Sequence, residues 1–372
     1  MTAPQAHASV DLDAYRSNLL AVAACAPTAM TLAVVKANAY GHGMVHMARA
    51  ARGAGVPWLG VATLDEALAL RAAGDTGHIV CWLASPGAPW AQAVEAGIDV
   101  TASSAEQLAE IVAAAPSRPR VHLKVDTGLS RNGARGPQWT ELVQAASAAQ
   151  RAGDIEVTGT WSHFACADEP DHPANDEQER VFRDAVAEME AHGLEPGIRH
   201  MANSAAALTR PSAHFDMVRI GIAAYGIAPD PALHHAVELK PVMTLQARIA
   251  QVKTVPAGSS VSYGHTWTTP VQTRLAVVPI GYGDGIAIAA SGKAQVWVNG
   301  RRVPVVGRIC MDQFVLDLGD VAAERGDTAI LFGSGALGEP TAQDWAQASG
   351  TIAYEVVTRL GDRITRTYQG PR

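Results

Sequence analysis

Cysteine is scarce and scattered in this chain: Cys25, Cys81, Cys166 and Cys310 lie far apart, with no Cys-x-x-Cys pair. That spacing is neither a disulfide framework nor a zinc motif, so a reducing, cytoplasmic setting without a metal site is expected. No segment approaches 18 uninterrupted apolar residues, which speaks against a helical membrane span. No lysine or arginine run interrupts the net charge of −7, so no nucleic-acid footprint is expected. Residues 1–10 lack a basic stretch followed by an apolar one, so no signal peptide is expected. No Gly-x-Gly-x-x-Gly follows an early apolar run, which weakens a dinucleotide-binding reading. What remains is an ordinary folded protein. Hydrophobic residues make up 48% and charged residues 17% of 372, enough for two domains or one barrel with an appendage.

The apolar pattern has two textures. Residues 8–12 read as a short strand, followed by a helix whose Leu12, Tyr15, Leu19 and Val22 share one face. From residue 31 short apolar runs alternate with amphipathic helices. The runs fall at 32–35, 58–61, 79–83, 99–101, 121–125, 157–162, 198–201 and 217–221. Eight βα units within about 200 residues favour a closed (β/α)8 TIM-type barrel over an open sheet. After residue 228 three prolines punctuate a linker, and short β-rich runs follow without intervening helices. Turn signals such as Asn299-Gly300 separate them. The expected organisation is a barrel over 10–235 and a mainly antiparallel β domain over 236–372. An initial strand within 1–9 has no barrel partner and is a candidate member of that second sheet.

In a βα barrel the reactive side chains stand at the C-terminal ends of strands. The first run ends at Lys36, a residue type seldom buried unless paired or chemically employed. It reads either as a snorkelling strand-end side chain or as a desolvated lysine that bonds a carbonyl compound. Later strand ends supply Lys124, Arg131, His163, Asn203, Ser204, Arg219, Gly221 and Ile222. Taken singly these read as a surface ion pair, a core histidine or a helix cap. Together, Ser204 and Gly221-Ile222 offer hydroxyl and N–H donors of the kind that hold phosphate. A lysine, a phosphate cup and an aromatic neighbour in one cavity suit pyridoxal 5′-phosphate.

At this point the sequence resembles a known family. Val35-Lys-Ala-Asn-Ala-Tyr-Gly-His-Gly43 looks like the cofactor-lysine motif of the alanine racemases. The likeness continues through His122-Leu-Lys-Val-Asp-Thr-Gly128, Ser162-His-Phe-Ala165, Val218-Arg-Ile-Gly-Ile222, Ser262-Tyr-Gly-His-Thr266, Gly307-Arg-Ile-Cys-Met-Asp312 and Thr351-Ile-Ala-Tyr-Glu355. The resemblance implies a pyridoxal-phosphate enzyme that interconverts L- and D-alanine, built as a head-to-tail homodimer with shared active sites. Its D-alanine would feed cell-wall peptidoglycan.

The resemblance also implies roles. Lys36 would carry the cofactor and act as the base for the D-enantiomer, and Tyr263 from the partner's β domain would act on the L-enantiomer. A free tyrosine has a pKa of about 10, so neighbouring cations would have to tune it, with His163 and the arginines as candidates. Arg219 would face the cofactor's ring nitrogen and, being permanently charged, could not accept its proton. Tyr40, Ser204, Gly221, Ile222 and Tyr354 would hold the phosphate, with His163 and Asn203 also at the cofactor. Arg131 and the Met311 backbone N–H would hold the substrate carboxylate. Lys124 resembles a position carbamylated in several members. One departure stands out: where the family commonly has an arginine after Gly-Tyr-x-Asp-Gly, this chain has Ile288.

Overall fold

A computed structural model describes residues 4–370. Residues 1–3, at the start of the expected initial strand, and 371–372, at the end of the expected β domain, lie outside the described residues. Eight strands form one all-parallel sheet: β2 (Met30–Val34), β3 (Trp58–Val61), β4 (His78–Cys81), β5 (Asp99–Ala102), β6 (Arg120–Lys124), β7 (Glu156–Trp161), β8 (Ile198–His200) and β9 (Met217–Ile220). Neighbours follow chain order, and β9 returns to pair with β2. Between β8 and β9 the barrel is closed by single backbone bonds, Asp216 N–H to Arg199 O and Arg219 N–H to Ala202 O, both 3.0 Å. Each expected strand is present, its ends shifted by a residue or two.

Helices pack around this ring for the reason the sequence suggests. Leu12–Ala23 starts on the Asp11 carboxylate, which accepts from Asp13 and Ala14 N–H, and it buries Leu12, Tyr15, Leu19 and Val22. Leu64–Ala72 opens with a capping box between Thr63 and Glu66. Ala174–Ala191 buries Phe182, Val186 and Met189. Fully burying one such side chain contributes roughly 1.5–3 kcal/mol, so these stripes fix the helices on the barrel.

The first strand, β1 (Ala6–Asp11), belongs to the other sheet. It lies between Met243–Arg248, antiparallel, and Thr365–Gln369, parallel. The remaining pairings of this nine-stranded sheet are antiparallel, including the hairpin of Gln295–Val298 with Arg301–Val306. Asn299 and Gly300 both have positive φ there (45° and 92°), as a tight two-residue turn requires. One expectation needs correction. The single run expected over 244–253 is two strands, because the chain turns at Ile249 and Ala250 to bond Asp327 and Val277 separately. Beyond the last expected β run the domain also carries two helices that the sequence reading did not name, Ala342–Ser349, opened by a Thr341/Asp344 capping box, and Ala353–Thr358.

Candidate active site

The chain leaves β2 through an unusual corner. Ala37, Asn38, Ala39 and Tyr40 have φ of 51°, 52°, 54° and 50°, a full left-handed turn with no glycine in it. Each such residue costs about 1–2 kcal/mol relative to the right-handed form, least for asparagine. Side chains from outside the turn offset that cost. The Glu66 carboxylate accepts Ala37 N–H at 2.5 Å and Ala62 N–H at 2.9 Å. The Asn38 amide oxygen accepts Met44 N–H at 2.8 Å. Buried His42 donates from Nδ1 to Tyr40 O at 2.8 Å, and burial lowers its pKa to about 4, so it stays a neutral donor. The corner turns Lys36 and Tyr40 toward one cavity.

That cavity, open and about 1320 Å³, sits at the C-terminal ends of the barrel strands. Its lining includes Lys36, Tyr40, Lys124, Arg131, His163, Asn203, Ser204, Arg219, Gly221, Ile222 and Tyr354. Eight of these eleven come from barrel strand ends or the loops just beyond them. Tyr40 follows from the left-handed corner and Tyr354 from helix Ala353–Thr358, while Arg131 lies on the longer loop after β6. The Asn203 side chain, not Ser204, caps helix Ser204–Thr209 by accepting Ala206 N–H at 3.1 Å. Ser204 Oγ is thereby left to accept Gly221 N–H at 2.9 Å. Glycine is required at 221, since a Cβ there would come within 2.5 Å of the Tyr40 hydroxyl. The Tyr40 ring leans on Tyr225 and Tyr354, with centroids 4.8 and 6.4 Å away.

Cations crowd the other wall. Burial lowers the Lys36 pKa, helped by the charges of Arg131 and Arg219. Burial and the same two arginines bring Lys124 down to about 7, with its ammonium 4.1 Å over the Trp161 ring. His163 is driven well below its ordinary value by burial, then by Arg219. Arg219, only 4% exposed, has no acid partner among the described residues: it donates to the carbonyls of Ser162, His200 and Met201 and to Nδ1 of His163 and of His200. Burial brings it to about 9, which leaves it charged at neutral pH. A pocket so rich in cations calls for an anionic guest, and the hydroxyl and N–H cup opposite is built for one.

Tyr263 and Met311 are not in this cavity. Tyr263 is 71% and Met311 53% exposed, on the β domain of the same chain. Ser262 donates to Arg308 O, and the 281–284 turn bonds Cys310 O and Met311 O, so these segments form one exposed patch. Tyr282 belongs to it. Ile288 is 46% exposed in the same domain. Reading the sequence missed Trp82 and Trp161, which face Lys36 and Lys124 as strand-end aromatics. It also missed Glu66, whose place in a Thr63-x-x-Glu66 box was the available signal.

Comparison with known proteins matches this arrangement. Residues 10–229 match the alanine racemase N-terminal domain, and residues 242–368 the alanine racemase C-terminal domain. The alanine racemase of Streptomyces coelicolor is 53% identical, covering 98% of this chain and 96% of its own length. The crystal structure of alanine racemase from D-cycloserine-producing Streptomyces lavendulae superposes with a TM-score of 0.98 at 54% identity, over 100% of this chain and 99% of that one. The Bacillus anthracis alanine racemase with bound L-Ala-P reaches 0.93 at 34% identity, over 100% and 96%. This chain belongs to the alanine racemase family.

Proposed function

We propose that the chain interconverts L-alanine and D-alanine with pyridoxal 5′-phosphate as cofactor, using Lys36 and Tyr263 as bases on opposite faces of the α-carbon. The D-alanine would supply cell-wall peptidoglycan. The single observation that carries the reading is the cavity in which a half-buried lysine faces a hydroxyl and N–H cup across a buried, acid-free arginine. The donor set fits the cofactor: Tyr40, Ser204, Gly221, Ile222 and Tyr354 would hold its phosphate, with His163 and Asn203 beside it. Gly221 leaves the gap that a Cβ would fill. Bound there, the cofactor withdraws electrons from the substrate's α-carbon and so acidifies its C–H bond.

The chain's own groups supply the rest. Lys36, its pKa lowered by burial and by neighbouring arginines, yields a neutral amine more readily than a free lysine, as both cofactor attachment and proton abstraction need. Arg219 would donate to the cofactor's ring nitrogen and cannot accept a proton from it, so the nitrogen would stay unprotonated and charge flow into the ring would be limited. Arg131 would orient the substrate carboxylate. Lys124, with its pKa near 7, is in substantial part a neutral amine at pH 7 and so suited to add carbon dioxide, releasing a proton and leaving an anion that could hold Arg131. Tyr263 and the Met311 N–H would enter from a second copy, because their patch is exposed and away from this chain's own cavity. The functional unit is therefore a homodimer, with the barrel over 10–235 and the β domain over 236–372 as its two parts. Chiral analysis of D-alanine formed from L-alanine tests the reading. No D-alanine from cofactor-loaded enzyme would refute it.

A further inference from the structure

The inside of a TIM-type barrel is normally filled by branched apolar side chains. Here a file of polar groups runs through it, from the floor up to Arg219. Asp99 opens β5, His122 lies in β6 and His200 ends β8, and all three are buried. Arg219 Nη1 is 3.0 Å from His200 Nδ1. His200 Nε2 is 2.9 Å from His122 Nδ1, and His122 Nε2 faces Asp99 Oδ2 at 3.4 Å. The space is built for it: a Cβ on Gly159 would come within 2.5 Å of the His122 ring. Trp161 lies parallel to the His200 ring, 5.6 Å between centroids.

Donor and acceptor roles follow without choice. A guanidinium can only donate, so His200 Nδ1 must accept. A neutral imidazole then carries its proton on Nε2 and donates it to His122 Nδ1. His122 must in turn carry its own proton on Nε2, which lies 3.4 Å from Asp99 Oδ2, close enough to be held by the carboxylate's charge though not aligned as a full hydrogen bond. Asp99 is fixed as an anion by Arg120, at 2.9 and 3.1 Å, and by the Thr158 hydroxyl at 2.9 Å. Buried networks are costly when one member is mismatched, because the conflict has nowhere to go.

We propose that Asp99 and His122 are remote positioning residues for Arg219: the carboxylate on the barrel floor fixes the tautomer of both histidines, and so presents acceptors that hold the guanidinium in its catalytic orientation. The role assigned to Arg219 rests on the function proposed above; the proton arrangement does not. Asp99→Leu removes the floor acceptor altogether, so nothing holds the His122 proton on Nε2, and the loss passes along the file to Arg219.

Neutron diffraction from deuterated crystals of the holoenzyme reads the arrangement directly. Deuterium on Nε2 of both His122 and His200 is expected, and deuterium on Nδ1 of either overturns the proposal. In Asp99→Leu, deuterium should appear on Nδ1 of His122, and kcat should fall roughly 10-fold with KM for alanine within about 2-fold. Wild-type tautomers with wild-type kcat in that variant also overturn it. If Asp99→Leu does not fold, His122→Phe keeps the Asp99–Arg120 pair and still breaks the file; unchanged kcat there is equally fatal. Tautomers as expected in a protein that racemises nothing would sink the function and leave the proton arrangement standing.

Discussion

The two proposed bases live in opposite surroundings. Lys36 is half-buried, leads into a strained turn and has Arg131 and Arg219 close enough to lower its pKa. Tyr263 is 71% exposed on a surface 3-10 turn and faces none of those groups within its own chain. One base is tuned by the fold that carries it. On the proposed reading the other needs a second copy. If so, a fully folded single chain holds half of a two-base site, and assembly and catalysis become one question.

The sharpest break of that contrast mixes two damaged proteins. Lys36→Ala and Tyr263→Phe homodimers should each lose at least about 10³-fold in racemisation, since each lacks one base. Unfolded together and refolded one to one, they should regain about a quarter of native activity, because half the dimers carry one intact site. No recovery would place Tyr263 and Lys36 of one chain at the same site. Next in size, Tyr263→Phe should slow solvent exchange of the α-hydrogen of L-alanine by about 10²–10⁴-fold and that of D-alanine far less. Equal loss for both enantiomers, followed by NMR in deuterium oxide, would remove the division of labour.

Glu66→Gln probes what holds the Lys36 side in place. The variant keeps the shape but turns one acceptor into a donor facing a backbone N–H, so a loss of about 1–3 kcal/mol is expected. Chemical denaturation measures it, and cofactor affinity should fall in parallel if the turn positions Tyr40. A further test concerns Lys124. Its folded pKa is about 7 and its ordinary value 10.5, so between these the unfolded chain binds a proton that the folded one does not. Stability of cofactor-free, carbon-dioxide-free enzyme should therefore rise with pH across that window, by at most about 1.4 kcal/mol per unit. Lys124→Met should flatten the rise.

Much of the barrel half was legible because its signals are local. Short apolar runs ending at Lys36, Lys124 and Arg219 mark strand ends, and strand ends mark the cavity. The left-handed turn was not legible. Ala37 and Ala39 have no preference for positive φ, and the groups that enforce it, Glu66 above all, belong to other elements. The helices at Ala342–Ser349 and Ala353–Thr358 were missed for a different reason: they are one or two turns long, too short to show a helical period among β runs. The polar file behind Arg219 was hidden too, since His122 and His200 read singly as ordinary core histidines.

The placement of β1 has a consequence in time. His7 pairs with Thr365 on one side and Gln246 on the other, so the first strand made is flanked by strands made much later. At about 5–20 residues per second, the ribosome leaves its last edge open for some tens of seconds while the barrel can already close behind it. During that interval β1 offers a bare β edge to any neighbouring nascent chain. The final strand, Thr365–Gln369, is thus a latch: a stop codon shortly before it would yield a finished barrel carrying a sticky hem.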